Sequence, residues 1–149
     1  MKIILDAMGG DNAPEAPVLG AIEANKAFGT QITLVGRGDE ILEVLKKHNI
    51  ETLPEGIEIC HADDVVDMHD DPEKVVRKRK NSSMIQGLRM LADGQGDAMV
   101  SAGSTGALLT GATLIAKRVR GVRRAAMGPA FPNKAGGKTV ICDCGANGA

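Results

Sequence analysis

Two stretches of this sequence combine glycines with short polar side chains in the order that anion binding needs. The first is Asp6-Ala7-Met8-Gly9-Gly10-Asp11-Asn12-Ala13-Pro14. Glycines admit dihedrals and close approaches that a side chain would block, and the free N–H groups at the start of a following helix attract negative charge. Asp6 ends an apolar run and is expected to point into whatever crevice the turn opens. The plainer reading is a tight strand-to-helix turn capped by Asp11 or Asn12. The second stretch is Val100-Ser101-Ala102-Gly103-Ser104-Thr105-Gly106-Ala107-Leu108. With Ser104 as N-cap, the small residues Thr105, Gly106 and Ala107 leave the first-turn amides open beside three hydroxyls, a cradle for a tetrahedral oxyanion. Here the plainer reading is a capped helix packed closely on a sheet.

Neither stretch contains a cation. Arg77-Lys78-Arg79-Lys80-Asn81-Ser82-Ser83-Met84 supplies four in a row and then two hydroxyls at a helix start, which suits a doubly charged anion that needs both charge and directed donors. At least two of the four must face water, and Lys80, nearest the serines, takes the inward role. Lys117, Arg118, Arg120, Arg123 and Arg124 form a second cluster, so nine of the eighteen cations fall in twelve positions of a chain whose net charge is -1. Such concentration makes a basic face, fit for an acidic partner protein, a phosphate-bearing ligand or anionic lipid, or simply for solvation.

Other motifs fail on inspection. Gly36-Arg37-Gly38-Asp39-Glu40-Ile41 opens like a dinucleotide fingerprint but has Ile41 where the third glycine belongs. Gly137-Lys138-Thr139 resembles the end of a P-loop, yet Pro132 holds the first glycine position and a strand follows. Cys142 and Cys144 share a strand face without a second pair or a suitably spaced histidine, and His48, His61 and His69 are scattered, so no metal site is expected. No serine elbow or cysteine–histidine pairing supports a covalent acyl-enzyme. Two Phe, with no Tyr or Trp, cannot build a stacking platform for single-stranded nucleic acid.

The elements that must hold the two glycine turns follow from the hydrophobic pattern. Short apolar runs bounded by Gly or Asp alternate with longer amphipathic stretches, the sign of βαβ units around a mostly parallel sheet. Strands are expected at 2–6, 31–36, 57–60, 97–101, 125–131 and 138–143, and helices at 14–28, 39–48, 72–80, 82–93 and 104–118. At 149 residues, 43% hydrophobic and 25% charged, the chain suits one α/β domain with a core of Val, Ile, Leu, Met and Ala. The odd, low cysteine count favours reduced thiols in the cytoplasm, and Ile3-Ile4-Leu5 is too short for a signal peptide. The last strand feeds Cys144-Gly145-Ala146-Asn147, a loop that ought to lead to a helix, so the sequence reads as the N-terminal part of a longer protein.

In order and spacing, the 6–14, 71–84 and 101–107 blocks and Asp143-Cys144-Gly145-Ala146-Asn147 resemble the bacterial phosphate acyltransferases of phospholipid synthesis (PlsX type). The resemblance runs over essentially the whole chain. It implies a three-layer α/β/α sandwich similar to isocitrate dehydrogenase and phosphotransacetylase. It also implies transfer of an acyl group from acyl carrier protein (acyl-ACP) to inorganic phosphate without a cofactor. The implied assembly is a cytoplasmic homodimer peripherally attached to the inner membrane, near the glycerol-3-phosphate acyltransferase that uses the product. Ser104 stands where that family usually has Asn, and Gly148-Ala149 depart from its usual continuation.

The residue chemistry suits that reaction, because phosphate is a competent nucleophile and thiolate a good leaving group, leaving the protein to hold the anion in line and stabilise an oxyanion. Lys80, Ser82, Ser83, Ser101, Gly103 and the Ser104-Thr105-Gly106 helix start are expected to hold phosphate. Gly9, Gly10 and Asn12 would line the acyl or oxyanion side, and Asp6, Asp11 and Asp143 would orient the cations, with Asn147 beside them. Lys80, Ser104 and Asp6 are the expected catalytic groups. Two other classes fit the same residues: a CoA-dependent transferase like phosphotransacetylase, and a non-catalytic module that binds a carrier protein or anion.

Overall fold

A computed structural model describes residues 1–142. Four strands, β1 (Lys2–Asp6), β2 (Gln31–Gly36), β3 (Ile57–His61) and β4 (Ala98–Val100), pair in parallel in the order β3-β2-β1-β4. Side chains alternate across this sheet. Ile3 and Leu5 of β1 join Ile32 and Leu34 of β2 on one face, against Val18 and Ile22 of α1 (Glu15–Phe28) and Ile41, Val44 and Leu45 of α2 (Gly38–Lys47). Ile4 and Val35 point the other way, to Ala62 and to Met90 and Leu91 of the helix Ser83–Ala92. Helices therefore cover both faces, giving the three layers that the family resemblance implies.

One helix packs on that second face and two more pack beside it. Helix α3 (Pro72–Lys78) is capped by Asp71, whose side chain accepts the Glu73 N–H, and it is followed by α4 (Ser83–Ala92), capped by Ser82. Helix α5 (Thr105–Gly111) continues into a π-helical turn, Ala112–Ala116. Val75, Met84, Ile85, Leu88 and Ala107 from these elements close a second apolar cluster. Helix α1 stops where expected, at Gly29, in the left-handed conformation (φ 62°) that glycine adopts most readily.

The C-terminal strands correct an expectation. Over the described residues, the runs expected at 125–131 and 138–143 do not extend the parallel sheet. β5 (Ala130–Pro132) and β6 (Lys138–Val140) pair with each other, antiparallel, as a separate exposed ribbon. Parallel neighbours need a crossover of roughly a dozen residues. The loop here is much shorter, and Asn133 closes it, its Oδ1 accepting the N–H groups of Ala135 and Gly137.

Candidate functional site

Strand order fixes where a ligand can enter. The chain runs outward from β1 through β2 to β3 and returns to place β4 on the opposite side of β1, so the connections diverge between β1 and β4. In open α/β sheets the ligand crevice lies beyond the carboxyl ends of the strands at such a divergence. Leu5 pairs with Val100, and the segments after both strands emerge side by side at that rim.

They are tied to each other. Ser101 Oγ donates to Asp6 Oδ2 at 2.7 Å and accepts the Gly103 N–H at 3.1 Å, while Asp6 Oδ1 accepts the Met8 N–H at 3.2 Å. Asp6 is 2% exposed, and both of its oxygens serve this network. It thus joins the two turns, and among the described residues it pairs with no cation.

Close approach explains the glycines. A Cβ on Gly9 would lie 2.8 Å from Asp6 Oδ2, 2.9 Å from the Gly103 nitrogen and 3.0 Å from Ser101 Oγ. Gly10 has φ +104°, and a Cβ there would meet the Ala102 Cβ at 3.1 Å. The stacked turns open onto a cleft of about 640 Å³. Gly9, Gly10, Asp11 and Asn12 form one wall, and Ala102, Gly103 and Thr105 the other. No acceptor among the described residues takes the N–H groups of Gly9, Gly10, Thr105 or Gly106. Leu5, Val100, Pro17 and Met68 make an apolar lip that the sequence reading did not anticipate. Met68 had no local signal, because its loop reaches the cleft only through the fold.

Ser104 is buried, and its hydroxyl accepts the Ala107 N–H at 3.4 Å. It therefore caps α5 as the motif predicts, while exposed Thr105 is the hydroxyl beside the cleft. Gly106 faces α3, where an added Cβ would lie 3.1 Å from Pro72 Cγ.

The 77–84 block sits beneath the cleft rather than along it. Ser82 Oγ accepts the Ile85 N–H, Ser83 Oγ is buried with no hydrogen-bond partner, and Met84 Cε would touch a Cβ on Gly103 at 3.0 Å. Lys80 does not turn inward: its side chain is exposed, and its carbonyl accepts from Arg89 Nη1. The cation that does turn in is Arg79. Its Nε and Nη2 donate to the two oxygens of Asp70 at 2.9 and 3.1 Å, and its Nη1 donates to Asp64 Oδ1 at 3.1 Å. These bonds hold the Asp70 carboxyl below the usual carboxylate range and raise the Arg79 guanidinium. Helix α1 is pinned behind Asn12 in a similar way. Glu15 pairs with Lys47 at 2.8 Å and His48 at 2.6 Å, which lowers its pKa. Asp143 and Asn147 lie outside the described residues. Among the described residues no His, Cys, Asp and Glu grouping is placed to hold a metal ion.

A family model described as "Fatty acid synthesis protein" matches residues 1–149. The chain belongs to this fatty acid synthesis protein family. Relatives bear out the resemblance carried by the motifs. A phosphate acyltransferase of Acetivibrio thermocellus is 45% identical over 148 residues, covering 99% of this chain and 43% of that protein. One from Clostridioides difficile is 42% identical over 147 residues, with the same shares. The chain thus spans less than half the length of these curated relatives. In fold it is similar to a phosphotransacetylase from Streptococcus pyogenes, with a TM-score of 0.69 at 20% identity over 99% of this chain and 47% of that one. Among the described residues of this family member, no helix is long and apolar enough to cross a membrane.

Proposed function

We propose that the complete protein transfers a fatty acyl group from acyl-ACP to inorganic phosphate, giving acyl-phosphate and free carrier protein for phospholipid synthesis. The observation that carries this reading is the pair of glycine turns that line one cleft at the strand tips, where the amides of Gly9, Gly10 and Thr105 have no acceptor among the described residues. Amides fixed by the Asp6–Ser101 network are preorganised for negative charge and need no rearrangement as charge develops. A phosphate oxygen bonds to the thioester carbonyl carbon, the carbonyl oxygen takes up negative charge, and the C–S bond then breaks. The thiolate leaves and takes a proton from solvent.

In this reading the Thr105 and Gly106 amides hold phosphate, with Gly103, its N–H kept on Ser101 Oγ, packed beside them, while Gly9, Gly10 and Asn12 face the acyl carbonyl, with Asp11 at the rim. Asp6, Ser101 and Ser104 position those groups, and Ser82 and Ser83 support them from below. Lys80, free in solvent, supplies charge to the arriving anion, and Asp143 and Asn147 keep the substrate-binding roles expected of them from the sequence. The exposed cations at 117, 118, 120, 123 and 124 suit docking of an acidic carrier protein. A homodimer at the inner face of the membrane, next to the glycerol-3-phosphate acyltransferase, belongs to the same reading.

Hydroxylamine trapping tests it. The complete protein is incubated with long-chain acyl-ACP with and without phosphate, and separately with acetyl-CoA. Phosphate-dependent hydroxamate from acyl-ACP is the expected result. Preference for acetyl-CoA would replace it with a phosphotransacetylase-like activity, and no hydroxamate from any donor would leave a non-catalytic binding module.

A further inference from the structure

The cleft has two chemistries. Its floor is polar backbone, whereas its lip is apolar, and one lip residue comes from outside the two glycine turns and the elements that carry them. Met68 belongs to a loop that contains Asp63, Asp64, Asp67, Asp70 and Asp71, yet it is 64% exposed beside the opening. It occupies a corner of a four-residue turn in which the Asp70 N–H bonds to the Asp67 carbonyl at 3.1 Å. The Asp70 carboxylate closes that turn from the other side by accepting the Asp67 N–H at 2.9 Å. The same Oδ2 atom takes Arg79 Nε, so the turn that bears Met68 is fastened to the end of α3 through one carboxylate. Asp64, at the base of the loop, is fastened by the same guanidinium, and its carbonyl accepts the Ser83 N–H at 3.0 Å. Arg79 therefore fixes both ends of the segment between them.

We infer that Met68 is a specificity-determining residue for the hydrocarbon chain of the acyl group, and that Arg79 is the positioning residue that sets it over the cleft. The inference rests on the acyl-transfer reading for its ligand class. An unbranched thioether adapts to a flexible alkyl chain better than a β-branched side chain would. Leu5, Val100 and Met68 line the same cleft as the glycine turns, so apolar side chains are available to an alkyl chain bound there. A planar guanidinium gripping two carboxylates holds one geometry, which lysine, a point charge on a flexible stem, cannot reproduce.

Binding of two stable acyl-phosphate mimics to the complete protein tests this by titration calorimetry. Acetylphosphonate reports the polar floor alone, and hexadecanoylphosphonate reports floor and lip together. Met68→Ala is expected to weaken hexadecanoylphosphonate about fivefold, the size for withdrawing part of one apolar side chain, and to leave acetylphosphonate within about twofold. Arg79→Ala should show the same split, and Arg79→Lys an intermediate one. Equal shifts for both mimics in Met68→Ala, or no shift for either, overturn the inference, whether or not the Arg79 variants fold. A split without phosphate-dependent hydroxamate from acyl-ACP would defeat the proposed function and leave the apolar subsite standing. Turnover with both mimics unmoved would do the reverse.

Discussion

Ser101 Oγ and Asp6 Oδ2, 95 residues apart in the chain, meet at 2.7 Å and join the tips of two adjacent parallel strands. Asp6→Ala leaves the Ser101 hydroxyl and the Met8 N–H without their acceptor in a buried place. The expected loss is about 3 kcal/mol of unfolding free energy, since each abandoned donor costs roughly 1–3 kcal/mol. Ser101→Ala should cost less, because the buried Met8 N–H keeps its partner and the Gly103 N–H and Asp6 Oδ2 that it abandons are only part-buried, within reach of water from the cleft. Urea denaturation of both variants measures the difference, and equal losses would mean that the network does not centre on Asp6.

Gly9 has almost no room for a methyl group. Two of the atoms it would strike belong to the Asp6–Ser101 bond and the third is backbone, so none can swing aside cheaply. Gly9→Ala is expected to cost about 2 kcal/mol through overpacking. Gly10→Ala should also destabilise, by about 1–2 kcal/mol, mainly because φ +104° is strained for any L side chain. Gly20 is exposed on α1 with nothing near its missing Cβ, and Gly20→Ala should stabilise by about 1 kcal/mol. The three thermal midpoints report these signs directly.

The neighbours Ser104 and Thr105 should part company. Ser104→Ala removes a buried helix cap and is expected to lower stability by about 1 kcal/mol. Thr105→Ala changes an exposed side chain beside the cleft, so stability should move by less than about 0.5 kcal/mol while the KM for phosphate rises. A Thr105→Ala enzyme with an unchanged KM for phosphate would shift the anion away from this helix start.

These positions show where sequence reasoning reaches and where it ends. Strands β1 to β3 were legible as short apolar runs bounded by Gly or Asp, with β2 buried on both faces, and helices α1 and α2 as the longer amphipathic stretches between them. The two glycine turns were legible because a missing side chain at a strand end is itself the signal. Lys80 and Arg79 could not be told apart: four adjacent cations point in four directions round a helix, and the choice fell to Asp64 and Asp70, which only the fold brings near. The apolar run of β6 records a need for a strand partner without naming it, and β5 was the one within reach of a short loop.

The Arg79–Asp70 pair gives a pH dependence of definite sign. Asp70 is held below its ordinary pKa when folded, so it contributes stability above the unfolded carboxylate value of about 4, and that contribution disappears as pH falls through the lower folded value. Asp70→Asn should therefore be less stable than the parent at pH 7, with the gap in urea midpoint narrowing as the pH falls below the ordinary carboxylate range. A gap that stays constant over this range would assign the loss to something other than the ion pair.

Amide hydrogen exchange of the complete protein, with and without saturating inorganic phosphate, looks straight at the two facing turns. One anion held between them should slow exchange in 9–12 and in 103–106 together. Protection of one turn alone, or of the 80–84 segment in place of both, would contradict a shared cradle at the tips of β1 and β4.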